Sequence, residues 1–167
     1  AALTPLLEEE PDSSEEAETA RDIAAAIYQR RGEEHFRNGR ITESVADFDS
    51  FLELEPLRAP HHWQRGISLY YAGEYEKGVQ QFETHQTVNT QDVENAVWHF
   101  LCAVRAPGGS VDEARKDFIN ISQDGRIPMK QIHDLYAGTG TEQDVIDAAS
   151  DRGESAQFYA DLYLGLY

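Results

Sequence analysis

The segment HWQRGISLYYAGEYEKGVQQF, residues 62–82, decides the fold of this chain, and it places glycine at positions 66, 73 and 78. The segment is too regular for a loop and too rich in glycine for an ordinary helix. Its pattern also occurs earlier in the chain at one constant spacing, and the matched positions are Gly32 with Gly66, Gly39 with Gly73, Ile41 with Tyr75, Ser44 with Gly78, and Phe48 with Phe82. A period of about 34 residues is typical of a repeated pair of helices.

Helix packing explains why glycine is needed at these positions. Gly32 and Gly66 are predicted inside the first helix of each pair, where glycine costs about 1 kcal/mol relative to alanine. We therefore expect the neighbouring helix to pack too close for a side chain. Gly39 and Gly73 are predicted at the turn between the two helices, where glycine adopts the left-handed conformation most easily.

The second helix of each pair carries a small residue and an aromatic residue in matching places. We expect Ser44 and Gly78 to let the second helix approach the first. Phe48 and Phe82 are then expected to fill the space between the two helices. These positions are packing requirements of the repeat and predict no binding role.

A third copy of the pattern follows when the spacing lengthens by two positions. The two extra residues are expected in the connection 86–92, and Pro107 is expected to cut the first helix of this copy short. Cys102 then replaces glycine as a small, buried packing residue. The positions matched in this copy are Cys102, Gly109, Val111, Ala114 and Phe118.

The composition sets the fold class and narrows the range of partners. The chain has 167 residues, 40% of them hydrophobic, and no alternating run long enough for a sheet, so an all-α protein is predicted. Its formal charge of −17 disfavours nucleic-acid and anionic membrane surfaces and favours a basic partner. The alternative is that the acidity only keeps the protein soluble. No apolar run reaches the ~18 residues that a membrane span needs.

Residues 1–20 form an acidic N-terminal arm in this interpretation. The segment has seven acidic residues, and the first basic residue is Arg21. Pro5 and Pro11 interrupt any helix, so the arm is either a segment laid on a partner or a flexible acidic leader. Three leucines offer possible anchor points on a partner, and they are Leu3, Leu6 and Leu7.

The remaining residues, 21–167, are predicted to form one helical domain. The repeats cover about 25–58, 59–92 and 95–126, followed by an irregular helical pair over 127–152 and an incomplete repeat helix over 156–167. This last helix has no second helix to cover its apolar face, so either the chain continues or the helix docks on a partner. The aromatic residues available for docking are Phe158, Tyr159, Tyr163 and Tyr167.

The units QRRGEEHFRNGRITESVADFDSFLELEP and WQRGISLYYAGEYEKGVQQF resemble the tetratricopeptide repeat (TPR) family. The likeness covers roughly residues 25–120 and, weakly, 156–167. It rests on the paired glycines, the phenylalanine of the second helix and Pro56 at the end of the first repeat, whereas Thr90 stands where the second repeat would end. The resemblance implies a right-handed α-solenoid of helix-turn-helix repeats.

In TPR solenoids the first helices line a concave groove that binds a peptide or a helix. An aromatic cluster with one arginine suits such binding, because Trp, Tyr and Arg commonly carry interface energy. The alternative is that Trp63 and Tyr70 pack against the third repeat. The groove positions implied by the resemblance are Gln29, Glu33, Phe36 and Arg37 in the first repeat, Trp63, Ile67, Tyr70 and Tyr71 in the second, and His99 and Ala103 in the third.

Within this family, the sequence is similar to a group of exported or organellar repeat proteins distantly related to the envelope lipoprotein NlpI. The likeness rests on HWQRGISLYYAGEYEKG, NAVWHFLC and YLGLY. It implies a soluble, extracytoplasmic protein, in a bacterial periplasm or a plastid or thylakoid lumen. The lipid-bearing cysteine of a lipoprotein is absent here, so membrane anchoring is not implied.

The sequence offers no pattern of catalytic residues. It has no G-x-S-x-G motif, no phosphate-binding loop and no H-E-x-x-H motif, and its six histidines are scattered or adjacent. We therefore expect no enzymatic activity, no cofactor and no metal. Two functions follow: an interaction adaptor or scaffold that binds a partner in the groove, or a structural subunit of a larger hetero-complex. The second, in one version a lumenal complex of photosynthetic membranes, would dock through the acidic arm and the aromatic C-terminal helix.

Overall fold

A computed structural model describes residues 13–167 of the chain, and over this range it contains α-helices and one 3-10 helix but no strand. The all-α prediction is therefore confirmed. The helices are α1 (Ser13–Arg37), α2 (Ile41–Leu54), the 3-10 helix (Pro56–His61), α3 (Trp63–Ala72), α4 (Tyr75–Gln86), α5 (Val93–Arg105), α6 (Val111–Lys116), α7 (Met129–Ala137), α8 (Glu142–Ala149) and α9 (Glu154–Leu166).

Consecutive helices pack against each other along the chain. Helix α1 packs on α2, α3 on α4, and α5 on α6, and these are the three predicted pairs. Each second helix also contacts the first helix of the next pair, α2 on α3 and α4 on α5, and α3 touches α5 directly. The C-terminal helices continue this pattern, with α7 on α5 and α9 on both α7 and α8. None of the helices described here is long and apolar enough to cross a membrane.

The helical glycines lie directly under phenylalanine rings. A Cβ atom added at Gly32 would lie 2.6 Å from Cε1 of Phe48, and one added at Gly66 would lie 2.6 Å from Cζ of Phe82. Both rings are almost completely buried, with 0% and 1% of their surface exposed. The prediction that these glycines permit close helix contact is confirmed at both repeats.

The turns between the paired helices also follow the prediction. Gly39 and Gly73 have φ angles of +72° and +79°, a region that side chains rarely adopt. Gly73 caps α3, and its N–H group donates to the carbonyl oxygens of Leu69 and Tyr70. The turn over 73–74 is therefore a glycine-capped helix end.

Ser44 and Gly78 contact the first helix of the next pair. This corrects the expectation that they let the two helices of their own pair approach each other. The Ser44 Oγ lies 3.0 Å from the Oγ of Ser68 on α3. A Cβ at Gly78 would lie 2.6 Å from the Cys102 Sγ on α5, whereas the nearest atom of its own pair, the Gly66 carbonyl oxygen, is 3.8 Å away. Small residues at these positions let one pair stack on the next.

The third pair has a different register from the predicted one. Ser68 and Cys102 make matching contacts to the preceding pair, and their spacing in the chain equals that of Gly32 and Gly66. The extra residues lie in the turn 106–110 between α5 and α6 rather than in the connection 86–92, so that expectation is wrong. Cys102 is fully buried as predicted, and burial raises the pKa of its thiol to about 12.

The phenylalanine of this third pair does not repeat the earlier packing. Helix α6 ends at Lys116, so Phe118 lies beyond it. The ring of Phe118 packs on Phe100 and His133 instead, with centroid distances of 5.7 Å and 4.9 Å. In the third pair, the segment after α6 therefore contacts α7 through Phe118, in place of the glycine–phenylalanine contact of the first two pairs.

Helix α1 begins at Ser13, so residues 13–20 of the predicted arm are helical. Glu15 and Glu16 in the first turn are favoured there, because carboxylates interact well with the positive end of the helix dipole. The rest of the predicted arm, including its three leucines, lies outside the described residues.

Substitution of Gly66 by alanine is expected to lower the free energy of unfolding by up to about 2 kcal/mol. Overpacking against the Phe82 ring costs about 1–3 kcal/mol, and the gain in helix propensity of about 1 kcal/mol offsets only part of it. Gly165→Ala in α9 is the matched control, since a Cβ there meets nothing within 4 Å. Urea unfolding measures the stability of both variants. A Gly66→Ala protein more stable than the wild type would contradict the packing described.

Candidate functional site

The structure brings five of the predicted groove residues together in one cleft between α1 and α3. This first cleft has a volume of about 320 Å³. It opens between the first helices of consecutive pairs, as expected for a groove of paired helices. The groove residues in its wall are Glu33, Phe36, Arg37, Trp63 and Ile67, and the wall also includes Phe48, Gln64 and Ser68.

A second cleft of about 270 Å³ lies beside the first, between α3, α4 and α5. Trp63 and Ile67 line both clefts, so their side chains form the shared wall. The two clefts are therefore adjacent, with Trp63 and Ile67 between them, and together they are the candidate surface. The other residues of the second cleft are Phe82, His85, Asn89, Asp92, Glu94, Asn95 and Trp98.

The aromatic residues of α3 differ sharply in exposure. Trp63 and Tyr71 are 46% and 51% exposed, whereas Tyr70 is only 8% exposed. The Tyr70 ring packs edge-on against Trp98 of α5, with centroids 5.4 Å apart. Of the two alternatives, packing against the third repeat therefore holds for Tyr70, whereas Trp63 is left exposed to solvent.

The Tyr71 ring on α3 contacts aromatic rings on the first helices of the two neighbouring pairs. Its ring centroid lies 5.8 Å from that of Phe36 on α1 and 6.1 Å from that of Trp98 on α5. Half of its surface nevertheless faces solvent. Tyr71 is thus held by its neighbours and still presents an accessible face, which limits the conformational entropy that binding would cost.

Gln29 lines neither of these two clefts, but together with Trp63 it lines another cleft, of about 500 Å³, between α1 and the 3-10 helix. The Nδ1 of His62 accepts a hydrogen bond from the backbone N–H of Arg65 and caps α3, so Nε2 carries the proton and donates to Oε1 of Gln29 at 2.8 Å. The His62 ring is 4% exposed, and burial lowers its pKa to about 4. It is therefore neutral at pH 7 and orients the start of α3.

Glu33 and Arg37 give the first cleft both signs of charge. The Nη2 of Arg37 lies 3.2 Å from Oε2 of Glu33, one helical turn away. The Arg37 side chain is 71% exposed, so this ion pair is weak and exchangeable. Both groups can therefore bind polar atoms of a ligand.

His99 lies apart from the other predicted groove residues. Its Nε2 is 3.7 Å from Oε1 of Glu83 on α4, and the side chain is buried. Burial lowers its pKa, and the Glu83 carboxylate opposes this effect. His99 borders neither cleft, because it occupies the face of α5 that packs on α4.

The C-terminal docking group is divided between surface and core. Phe158 and Tyr167 are 61% and 52% exposed. Tyr163 is fully buried, and its hydroxyl donates to Oε2 of Glu94 at 2.6 Å, so its assignment to a docking surface is corrected. Tyr159 is half-buried beneath Arg126, whose guanidinium carbon lies 5.7 Å from the ring centroid.

Sequence reasoning missed two polar groups beside the second cleft. Asn95 is buried there, and Arg126 bridges Asp92, Glu94 and Asp124. Neither stands in a recognisable motif, because the partners of Asn95 lie on α4 and those of Arg126 meet only when the loop before α7 packs on the start of α5. Among the residues described, no group of three or more His, Cys, Asp or Glu side chains is placed to hold a metal ion.

No family model matches the chain. A stretch of 111 residues is 29% identical to a protein described as Protein SGT1 homolog, from Bos taurus, and covers 66% of this chain and 29% of that protein. The chain therefore spans less than a third of the length of this relative. The match and the paired helices are compatible with a TPR-like protein.

Proposed function

We propose that this protein is a non-catalytic adaptor or scaffold that binds a peptide or a helix of a partner protein across the two clefts. One observation carries the proposal: Trp63, 46% exposed, forms the shared wall of both clefts. A large aromatic side chain held at the centre of a concave surface is the type of residue that dominates binding energy. The net charge of −17 favours a basic partner.

The proposal includes a right-handed α-solenoid of TPR-like pairs. It is supported by the glycine–phenylalanine contact that the first two repeats share and by the stacking of α2 on α3 and α4 on α5. Such stacking keeps first helices adjacent, so that they present a single surface. The narrower likeness to proteins related to NlpI, and the compartment it implies, stay predictions.

The proposal is tested with a displayed library of random peptides selected on the wild-type protein. The double variant Trp63→Ala, Tyr71→Ala is expected to bind the selected peptides at least ~30-fold more weakly, since truncating a central aromatic residue costs about 2 kcal/mol or more. Tyr70 is left unchanged, because its burial makes it a stability position. Isothermal titration calorimetry gives the affinities.

The matched control is Leu57→Ala. Leu57 is 88% exposed on the 3-10 helix and borders neither cleft. The Leu57→Ala variant should bind the selected peptides as tightly as the wild type does. Peptides that bind the double variant and the wild type equally would refute the adaptor surface.

A second candidate function is that of a structural subunit in a larger assembly. The exposure of Phe158 on α9 favours it, since a large apolar side chain at a helix surface is suited to docking. The test isolates the complex that contains this protein from cells. If Phe158→Ala disrupts the complex and the Trp63→Ala, Tyr71→Ala variant leaves it intact, this function is favoured over the first.

A further inference from the structure

Helix α1 carries a stripe of exposed residues on the side opposite its packing face. Ile23 and Ile27, one turn apart, are 56% and 55% exposed, whereas Ala25 and Gly32 are buried on the other side of the helix. Residues spaced alternately by three and four positions share one side of a helix. The exposed residues of this stripe are Glu16, Ala20, Ile23, Ile27, Arg30 and Glu34.

The stripe is apolar in the middle and carries opposite charges on the two sides of this apolar part. Glu16 precedes the isoleucines, and Arg30 follows them. The Arg30 side chain has no hydrogen bond or ion pair with any residue in the part of the chain that the structure describes. An apolar patch between an acidic and a basic group is complementary to a second copy of itself in the antiparallel direction.

The charges also select the register of such a pair. With the two-fold axis at Ile23, Arg30 meets Glu16 of the second copy, and Ile27 packs on the small Ala20 of that copy. Glu34 then lies beside the start of the second copy's α1, where a carboxylate interacts well with the helix dipole. With the axis two positions further along the helix, Glu16 would face Glu34, and like charges in contact are destabilising.

We propose that two copies of this chain associate through α1, antiparallel, with the two-fold axis at Ile23. Every contact of such an interface occurs twice, so the apolar and charged contacts are both doubled. None of the stripe residues lines either cleft of the candidate surface, so both copies keep their clefts accessible. A single pair of helices is a small interface, below about 1,200 Å², and the dimer is therefore weak and reversible.

The test measures self-association of the full chain by analytical ultracentrifugation, from micromolar to submillimolar concentration. Each copy carries a net charge of −17, and about 0.15 M salt screens charges more than about 8 Å apart. The wild type is expected to show a monomer–dimer equilibrium. Ile23→Ala removes an apolar side chain from both copies at once and is expected to raise the dissociation constant at least ~30-fold.

The matched control is Ile146→Ala. Ile146 is 48% exposed on α8, so its removal takes away a similar exposed side chain far from the stripe in the sequence. This variant should dimerise as the wild type does. Circular dichroism checks that both variants fold.

An exchange of charges tests the antiparallel register. Arg30→Glu places two carboxylates in contact and Glu16→Arg places two guanidinium groups in contact, so each variant is expected to dimerise about tenfold more weakly. A mixture of the two variants restores opposite charges at both contacts. The mixture is therefore expected to form a heterodimer as tight as the wild-type dimer, and native mass spectrometry separates it from the homodimers by mass.

The remaining outcomes would overturn the inference. A wild type that stays monomeric over the whole concentration range contradicts it. If replacing Leu3, Leu6 and Leu7 by serine then produces the dimer, the N-terminal segment occupies the stripe instead. A dimer that Ile23→Ala leaves unchanged forms through another face. Homodimers of the two charge variants that are as tight as their heterodimer would refute the proposed register.

Discussion

Replacement of Phe82 by alanine is expected to lower the free energy of unfolding by about 3–5 kcal/mol. The ring is 1% exposed, lies directly over the backbone of Gly66 and belongs to the main core cluster. Glycine offers no side chain that could move into the space, so the cavity cannot collapse readily. Chemical denaturation followed by circular dichroism measures the change.

The matched control for this prediction is Phe158→Ala. The Phe158 ring is 61% exposed on α9, and its removal is expected to change stability by no more than about 0.5 kcal/mol. If Phe82→Ala lowers the free energy of unfolding as little as Phe158→Ala does, the second helix pair is not packed around the Phe82 ring.

Replacement of Arg126 by methionine is expected to lower the free energy of unfolding by about 2–4 kcal/mol at pH 7. The guanidinium binds Asp92, Glu94 and Asp124, and the Asp124 side chain is only 5% exposed. Removing one partner leaves a buried carboxylate uncompensated, which costs about 3–5 kcal/mol in a fully buried pair. The expected loss is smaller here because Arg126 is 41% exposed.

The effect of Arg126→Met should depend on pH in one direction. Burial alone would raise the pKa of Asp124, but hydrogen bonds from the Arg126 side chain and from backbone N–H groups hold it below its usual range. A carboxyl whose pKa is lowered on folding adds stability above its unfolded pKa, about 4, and loses it as the pH falls through the folded value. The difference between wild type and variant should therefore shrink below about pH 4.

The arginine control is Arg37→Met. Arg37 pairs with Glu33 in solvent, and its side chain is 71% exposed, so its loss should change stability by less than about 1 kcal/mol and show little pH dependence. An Arg126→Met protein as stable as Arg37→Met at pH 7 would show that the loop before α7 is not held by this cluster.

The first two helix pairs could be predicted from the sequence because their packing demands are local. Gly32 and Phe48, like Gly66 and Phe82, belong to the two helices of a single helix-turn-helix unit and have the same spacing in both units. The third pair was predicted less well. Matching of residue types placed the two extra residues of the third pair in the wrong connection. Their true position follows from the contact of Cys102 with Gly78, which shows which residue of α5 meets α4.

The candidate site was predictable in position but not in detail. Resemblance selected Trp63, Tyr70 and Tyr71 together, since all three lie on the first helix of the second repeat. The structure separates them, because the Trp98 ring covers Tyr70 and leaves Trp63 exposed. Resemblance also placed His99 with them, but the helix rotation that turns Trp98 toward α3 turns His99 toward Glu83.

The sequence alone determined the helical class, the period of the first two repeats and the glycine turns, because each depends on steric demands within a single unit. Only the tertiary structure decided which aromatic residues stay exposed, how Tyr163 reaches the distant Glu94, and that the buried Asn95 oxygen has no hydrogen-bond partner among the described residues. These features arise where separate units meet. Exposure and hydrogen bonding there depend on the relative rotation of packed helices, which residue spacing within one unit does not encode.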